Sequence, residues 1–288
     1  MKRIGVIGLG TMGLPMALNL LKAGFEVCGF NRTPAKAQQV AKAGGEACVS
    51  VAELVGKSEV VITMLANDAA VKEIILGDDG VAASGRAGLI VIDCSTVSPT
   101  TSREVAAALA KRGIRHLDAP VTGSKKQAED GSLSFLVGGD RGLFDACASL
   151  FAAMGKKKFY LGGTGMGASA KLCNNMVVAM NMAALSEGMA LASRCGINLE
   201  TMLEIFGTSG ARGAMAELKG PKLLRGDTKA DFALALMKKD TGLAQQLAEQ
   251  AGQPAPLLAT THDVFAKAVQ ELNPDLDFCT VFHWYMKK

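Results

Sequence analysis

The chain has 288 residues, of which 49% are hydrophobic and 20% charged, a globular composition with length for about two domains. A charge of +4 dispersed along the sequence and an aromatic content of 5% speak against a nucleic-acid surface of basic stripes and stacking rings. Seven cysteines without a CxxC pair and three histidines without a ligand cluster leave no disulfide framework and no metal site to expect. The thiols read as reduced core residues of a cytoplasmic protein. Glycines at 5, 8, 10 and 13 interrupt any secretory leader after Met1-Lys2-Arg3, and no uninterrupted apolar run reaches the length of a membrane span, so no membrane partner is expected.

In chain order, the apolar runs 4–8, 26–30, 60–65 and 89–93 have the continuous β-branched character of parallel strands covered on both faces. Helix-length segments at 14–23, 34–43, 51–57 and 69–76 separate them, which is the alternation of βαβ units. Helices are predicted at 99–112 and 141–154, and strands at 116–121, 134–137 and 158–161. Ser95, Thr96 and Ser98 stand before Pro99 as capping residues for a helix that tolerates proline in its first turn. The glycine-rich stretch Gly162 to Gly167 is the clearest break. Beyond it, residues 168–194 hold no proline and are rich in Ala, Met and Leu, predicting one helix about 40 Å long. Its nearly all-round apolar surface predicts burial between two bodies. Further helices are expected at 199–206, 213–218, 234–251 and 257–272. The fold class is therefore α/β, a doubly wound parallel sheet over residues 1–162 followed by an all-helical domain over 163–288.

Gly8-Leu9-Gly10-Thr11-Met12-Gly13 follows a predicted strand and opens a predicted helix, the setting in which GxGxxG binds a dinucleotide. The first glycine permits the tight turn, the second lets backbone approach a pyrophosphate, and the third lets helix and strand pack closely. Met64 and Leu65, at the end of the run 60–65, belong to the same cofactor-binding set. About twenty residues beyond the glycines an NAD site usually carries an acid for the ribose 2′-hydroxyl, whereas this chain has Asn31-Arg32-Thr33. An acid would repel a 2′-phosphate, while an amide, a guanidinium and a hydroxyl receive it, which points to NADP(H). The bland reading is a solvated Arg32 and a tripeptide that caps the next helix.

Lys171 lies near the start of the long apolar helix, with Asn174 and Asn175 at i+3 and i+4 on the same face. Such groups need polar partners in an apolar stretch, because burying them bare is expensive. In a cleft the ammonium can protonate a carbonyl oxygen as hydride reaches carbon, with an amide holding its position. The competing reading is a lysine that snorkels to solvent. Cys173 and the methionines at 176, 180, 182 and 189 read as packing residues, and Lys125-Lys126 as a solvated face.

With Asp93-Cys-Ser-Thr96, Asp118-Ala-Pro-Val-Thr-Gly123, the segment Gly165 to Asn175 and Lys239-Asp240 in this order, the chain resembles the β-hydroxyacid dehydrogenases over essentially all its length. The resemblance implies that Lys171 is the general acid/base, that Asn175 assists, that Thr96 contacts nicotinamide and substrate, and that Lys239 reaches the cofactor. Where many members have a second glycine, this chain has Ser124. The run Thr122-Gly-Ser124-Lys-Lys is similar to the glyoxylate and succinic semialdehyde reductases, which prefer NADPH. In those enzymes the residues matching Thr96, Thr122, Phe232 and Asp240 border the substrate, usually with serine in place of Thr122. A hydroxyl at 122 with backbone amides near Gly123 and Ser124 suits a substrate carboxylate, and Asn174 joins the substrate set.

The resulting expectation is an NADPH-dependent reductase of small carboxylated aldehydes, assembled as a homo-oligomer, dimer or tetramer. The alternatives are a 3-hydroxyisobutyrate or tartronate semialdehyde type dehydrogenase and a non-enzymatic nucleotide-binding interaction module. An imine reductase would replace the lysine, and a 6-phosphogluconate dehydrogenase would need a larger helical domain.

Overall fold

A computed structural model of the chain describes all residues, 1–288. They fall into two compact units, Met1–Lys171 and Leu172–Lys288. The first is built on nine strands: β1 (Arg3–Ile7), β2 (Glu26–Phe30), β3 (Glu46–Ala47), β4 (Val60–Thr63), β5 (Ile90–Asp93), β6 (Arg115–Asp118), β7 (Val121–Thr122), β8 (Leu133–Gly139) and β9 (Gly155–Tyr160). Their order is β3-β2-β1-β4-β5-β6-β8-β7, with β9 on β8. Strands β1 to β6 are parallel, β8 runs antiparallel to β6 and β7, and β9 lies parallel to β8. The order reverses between β1 and β4, the switch point beside which such sheets bind ligands.

Alternation along each strand feeds two cores. Ile4, Val6, Val60, Ile62, Ile90 and Ile92 pack on one face, and Ile7, Val61 and Val91 on the other. Burial on both faces explains why these strands read as unbroken apolar runs. Register places Phe30 beside Ile7, Ile7 beside Thr63, Thr63 beside Asp93 and Asp93 beside Asp118. These five residues form one row at the C-terminal edge of the sheet, so whatever follows each of them emerges on the same side.

Strand β9 begins three residues earlier than expected, because Lys156, Lys157 and Lys158 are exposed and carry no apolar signal. Charged residues on an edge strand discourage pairing with another chain. The predicted helix at 141–154 is two helices, Arg141–Ala146 and Ala148–Met154, meeting at Cys147.

The helix Met166–Arg194 starts in the first unit and continues into the second. It contains 18 residues of mean hydropathy 1.3, enough by length and composition to cross a bilayer, although no uninterrupted apolar run within it reaches that length. Asn174, Asn175 and Asn181 interrupt the apolar run without bringing its average down. Leu172, Ala179, Met182 and Met189 are buried, whereas Cys173, Val177, Ala184 and Leu191 are exposed along one line. Cys173 is thus a surface thiol and not the core residue expected, as is Cys195, while the other five cysteines are buried.

The second unit packs helices Leu199–Thr208, Ala214–Leu224, Leu234–Gln250, Pro256–Glu271 and Val281–Lys287 around Met182, Met189, Met237, Phe265 and Phe278. The helix expected to stop at 218 runs through Pro221. Proline removes one internal hydrogen bond there, and the turn stays packed because Gly220 sits against Leu203, where a Cβ would lie 2.4 Å from a methyl group.

Candidate functional site

The nucleotide turn follows β1 at the row just described. Gly8 adopts φ +92°, and its N–H donates to the Phe30 carbonyl at 3.0 Å. A Cβ on Gly8 would lie 2.2 Å from the Met64 carbonyl oxygen, and one on Gly13 would lie 1.9 Å from that of Gly8. A Cβ on Gly10 meets nothing within 4 Å, so open space faces the backbone there. Two glycines are therefore required by packing within the protein and the third leaves room for a ligand, the arrangement a pyrophosphate needs. Leu9 is buried, Thr11 is exposed and Met12 is half-buried at the helix start.

Asn31 holds this turn from the end of β2. Its Oδ1 accepts the Leu9 N–H at 2.9 Å, and its Nδ2 donates to the Thr33 carbonyl at 3.2 Å. Arg32 and Thr33 are exposed beside it, and Thr33 precedes the helix Pro34–Lys42 without a side-chain cap bond. The capping reading of the tripeptide thus fails for the Thr33 hydroxyl, which is left facing solvent with Arg32. A 2′-phosphate fits such a surface, because it meets a cation and no carboxylate.

At the neighbouring strands two buried carboxylates organise the loops. Asp93 accepts the Thr63 hydroxyl at 2.7 Å and the Ser95 N–H at 3.0 Å, and Ser95 Oγ accepts the Leu65 N–H at 2.8 Å. The segments bearing Met64-Leu65 and Thr96 are thereby tied together. Asp118 accepts the N–H groups of Gly165 and Ala168 at the start of the long helix, whose next turn carries half-buried Lys171. Burial pushes both carboxyls up, against the hydrogen bonds that pull them down. Sequence reasoning met both aspartates only inside longer motifs. The available signal was an acid closing an otherwise apolar strand.

Thr122 ends β7, half-buried, and Gly123 follows with φ +132°. Ser124 caps the short helix Lys125–Glu129: its N–H donates to Gln127 Oε1 at 2.8 Å, and its hydroxyl contacts the same oxygen. The Ser124 donors are committed to that cap, which leaves the Thr122 hydroxyl as the side-chain donor of the loop. Lys125 pairs with Glu129 at 3.5 Å and Lys126 is exposed, the solvated face expected.

In the second unit Asn174 Nδ2 donates to Asn175 Oδ1 at 3.1 Å, and Asn175 Nδ2 donates to Asp240 Oδ2 at 2.5 Å. Lys239 Nζ is 2.9 Å from Asp240 Oδ1. Asp240 is fully buried with both oxygens against protein groups, so here it orients Asn175 instead of presenting a free carboxylate. Phe232 lies edge-on to Phe278 at 5.9 Å, in a segment tied to Asp277. Lys219 pairs with Asp277 at 2.9 Å, and Lys222 pairs with Asp231 at 3.2 Å. Burial alone would raise the Asp277 carboxyl, but the Lys219 hydrogen bond and charge hold it below its ordinary value. No sequence motif had marked this ionic cluster.

A Rossmann unit with a built nucleotide turn, followed by a helical unit, defines the chain as a dinucleotide-binding protein. Residues 3–162 match the NAD-binding domain of 6-phosphogluconate dehydrogenase, and residues 165–285 match the NAD-binding domain of NADP-dependent 3-hydroxyisobutyrate dehydrogenase. The chain is 37% identical to the glyoxylate/succinic semialdehyde reductase 1 of Arabidopsis thaliana, covering 96% of each protein. It is also 37% identical to the 2-(hydroxymethyl)glutarate dehydrogenase of Eubacterium barkeri, covering 91% of this chain and 88% of that one. Among solved structures, the 3-hydroxyisobutyrate dehydrogenase of Mycobacterium tuberculosis with L-serine superposes with a TM-score of 0.89 at 35% identity, covering 99% of both chains. The chain belongs to the β-hydroxyacid dehydrogenase family and is an NAD(P)-dependent oxidoreductase of that type.

Proposed function

We propose that the protein is an NADPH-dependent reductase of small carboxylated aldehydes, converting succinic semialdehyde to 4-hydroxybutyrate and glyoxylate to glycolate. The observation that carries the cofactor half is Asn31: its amide oxygen accepts from the glycine turn at the position where an acid would select NAD. The Ser124 version of the Thr122 loop and the similarity to the Arabidopsis reductase support the substrate half.

Reduced nicotinamide, when bound, supplies a hydride. The Lys171 ammonium donates a proton to the carbonyl oxygen as that oxygen gains negative charge, so no free alkoxide forms. Asn175, one helical turn on, is held by Asp240 in a fixed amide orientation and hydrogen-bonds the reacting oxygen. The Thr122 hydroxyl donates to the substrate carboxylate, which orients the aldehyde. The family resemblance assigns Thr96 and Phe232 to the substrate and Lys239 to the cofactor.

The test is steady-state reduction of both aldehydes with NADPH and with NADH, for the wild type and Lys171→Ala. A preference for NADPH of at least tenfold and a loss of about 10²–10⁴ in kcat for the variant are expected. Equal use of NADH overturns the cofactor assignment, and a variant of normal rate overturns the mechanism. The similarity to the mycobacterial 3-hydroxyisobutyrate dehydrogenase favours a second reading, oxidation of 3-hydroxyisobutyrate, which an assay of that hydroxyacid with NADP+ and with NAD+ separates from the first.

The reading includes self-association in the cytoplasm. The exposed line Cys173, Val177, Ala184 and Leu191 adjoins an apolar groove of about 510 Å³ lined by Met176, Met180, Leu247 and Leu257, which supports burial by a second copy. Sedimentation at micromolar concentration tests it, and a monomer overturns it.

A further inference from the structure

Asp118 is a buried carboxylate, 1% exposed, to which the reaction as proposed gives no part. Burying an acid in place of an apolar side chain is costly, so its presence needs a reason in what it holds. Its Oδ1 accepts the Gly165 N–H at 2.8 Å and its Oδ2 the Ala168 N–H at 2.9 Å. These donors flank the first two residues of the helix Met166–Arg194, where N–H groups have no partner within the helix. That helix has no acid in its own first turn, and Asp118 supplies the negative charge that its N-terminus favours.

The contact is close enough to leave no slack. A Cβ on Gly167 would lie 2.3 Å from the Leu136 carbonyl oxygen and 2.6 Å from that of Asp118. A Cβ on Gly138 would lie 2.8 Å from Asp118 Oδ1 and 2.8 Å from the Gly167 nitrogen. Any side chain at either glycine would therefore press the helix off the strand end. Lys171 stands three residues after Ala168, roughly 4.5 Å along the helix axis and on the same face. On the other side of Asp118, Ala119 and Pro120 lead directly into Val121–Thr122 of β7. One carboxylate thus joins the segment that carries Lys171 to the segment that carries Thr122.

We infer that Asp118 is a positioning residue for Lys171, clamping the first turn of the helix to the end of β6 and so fixing where the ammonium stands relative to the Thr122 loop. The inference rests on the reading of Lys171 as proton donor. A tilt of roughly 10° would move an ammonium at the end of a roughly 6 Å side chain by about 1 Å, a displacement that can cost about a hundredfold in rate.

The experiment compares Asp118→Asn, Gly167→Ala, Lys171→Ala and the double variant Asp118→Asn/Lys171→Ala. Each is assayed in the full chain with succinic semialdehyde and NADPH, alongside NADPH binding by fluorescence. In Asp118→Asn one amide oxygen can accept only one of the two N–H groups, and the amide NH₂ faces the other donor. Its kcat should fall about 30- to 100-fold while the NADPH Kd stays within about twofold, because the nucleotide turn is untouched. The same substitution should cost less than about twofold in the Lys171→Ala background, since an effect exerted through the lysine disappears with it. A folded Asp118→Asn of normal kcat overturns the inference, as does an equal loss with and without Lys171. If Asp118→Asn does not fold, Gly167→Ala decides by the same comparison, alone and combined with Lys171→Ala. A Lys171→Ala enzyme of normal rate overturns the proton-donor reading itself, and is distinguished from a slow Lys171→Ala beside a normal Asp118→Asn, which overturns the clamp alone.

Discussion

His116 offers a quantitative test of the first unit. It sits on β6 two residues before Asp118, buried, with neither ring nitrogen hydrogen-bonded. Burial lowers its pKa from 6.5 to about 4, because the imidazolium would lose its hydration and gain no partner. Below pH 6.5 the unfolded chain therefore takes up a proton that the folded chain refuses until about pH 4. Stability falls across that window and levels off beneath it. The full loss is about 3 kcal/mol, of which about 2 kcal/mol falls between pH 7 and pH 5. For a unit the size of Met1–Lys171 that corresponds to about 4–8 °C in Tm. His116→Leu removes the group, so the drop in Tm of the first unit from pH 7 to pH 5 should be smaller than in the wild type by that amount. Asp93 and Asp118 work in the opposite direction, since burial raises both and their protonation favours the fold as pH falls. They are present in both proteins and cancel in the difference. Calorimetry at the two pH values is the assay, and identical pH dependence in wild type and variant would refute the argument.

Three further outcomes are expected. Asn31→Asp keeps an acceptor for the Leu9 N–H but places a negative charge beside the exposed Arg32, so the KM for NADPH should rise at least about tenfold while that for NADH holds or falls; parallel changes in both would count against a 2′-phosphate at this surface. Lys219→Met leaves the fully buried Asp277 without its nearest cation and should destabilise the second unit by about 3 kcal/mol, read as a lowered transition in calorimetry, with a raised aldehyde KM because the segment bearing Phe232 hangs on Asp277. Gly13→Ala should sharply weaken NADPH binding in fluorescence titration, since its Cβ would overlap the Gly8 carbonyl oxygen at 1.9 Å and force the nucleotide turn open.

What could be read in the sequence was what rests on local rules. Strands buried on both faces need unbroken β-branched runs, so the residues from Ile4 to Asp93 announced the sheet, and a glycine turn between a strand and a helix announced the nucleotide site. Hidden were the features whose cause lies elsewhere in the chain. Strand β9 carries three lysines because it is an edge, a fact that belongs to the sheet and not to the segment. Ser124 looked like a ligand-binding donor, yet its hydroxyl and N–H serve a capping box that only the short helix after it makes visible. Asp240, assigned to the substrate by resemblance, is buried against Asn175, 65 positions earlier. Asp118 grips backbone 47 and 50 positions later.

Groups that meet a ligand are confined to a few residue types at helix starts and strand ends, and so leave a motif. Groups that hold those residues in place are chosen by whatever packs against them after folding, and no spacing rule reaches that far. Glycine is the partial exception. Gly138 and Gly167 look dispensable within a strand and a helix, where glycine is unfavourable, and that local cost is the trace of a third element pressing on both. The helix that carries Lys171 therefore advertises its clamp through the side chains it lacks, while the carboxylate that does the clamping passes for one more acid at the end of a strand.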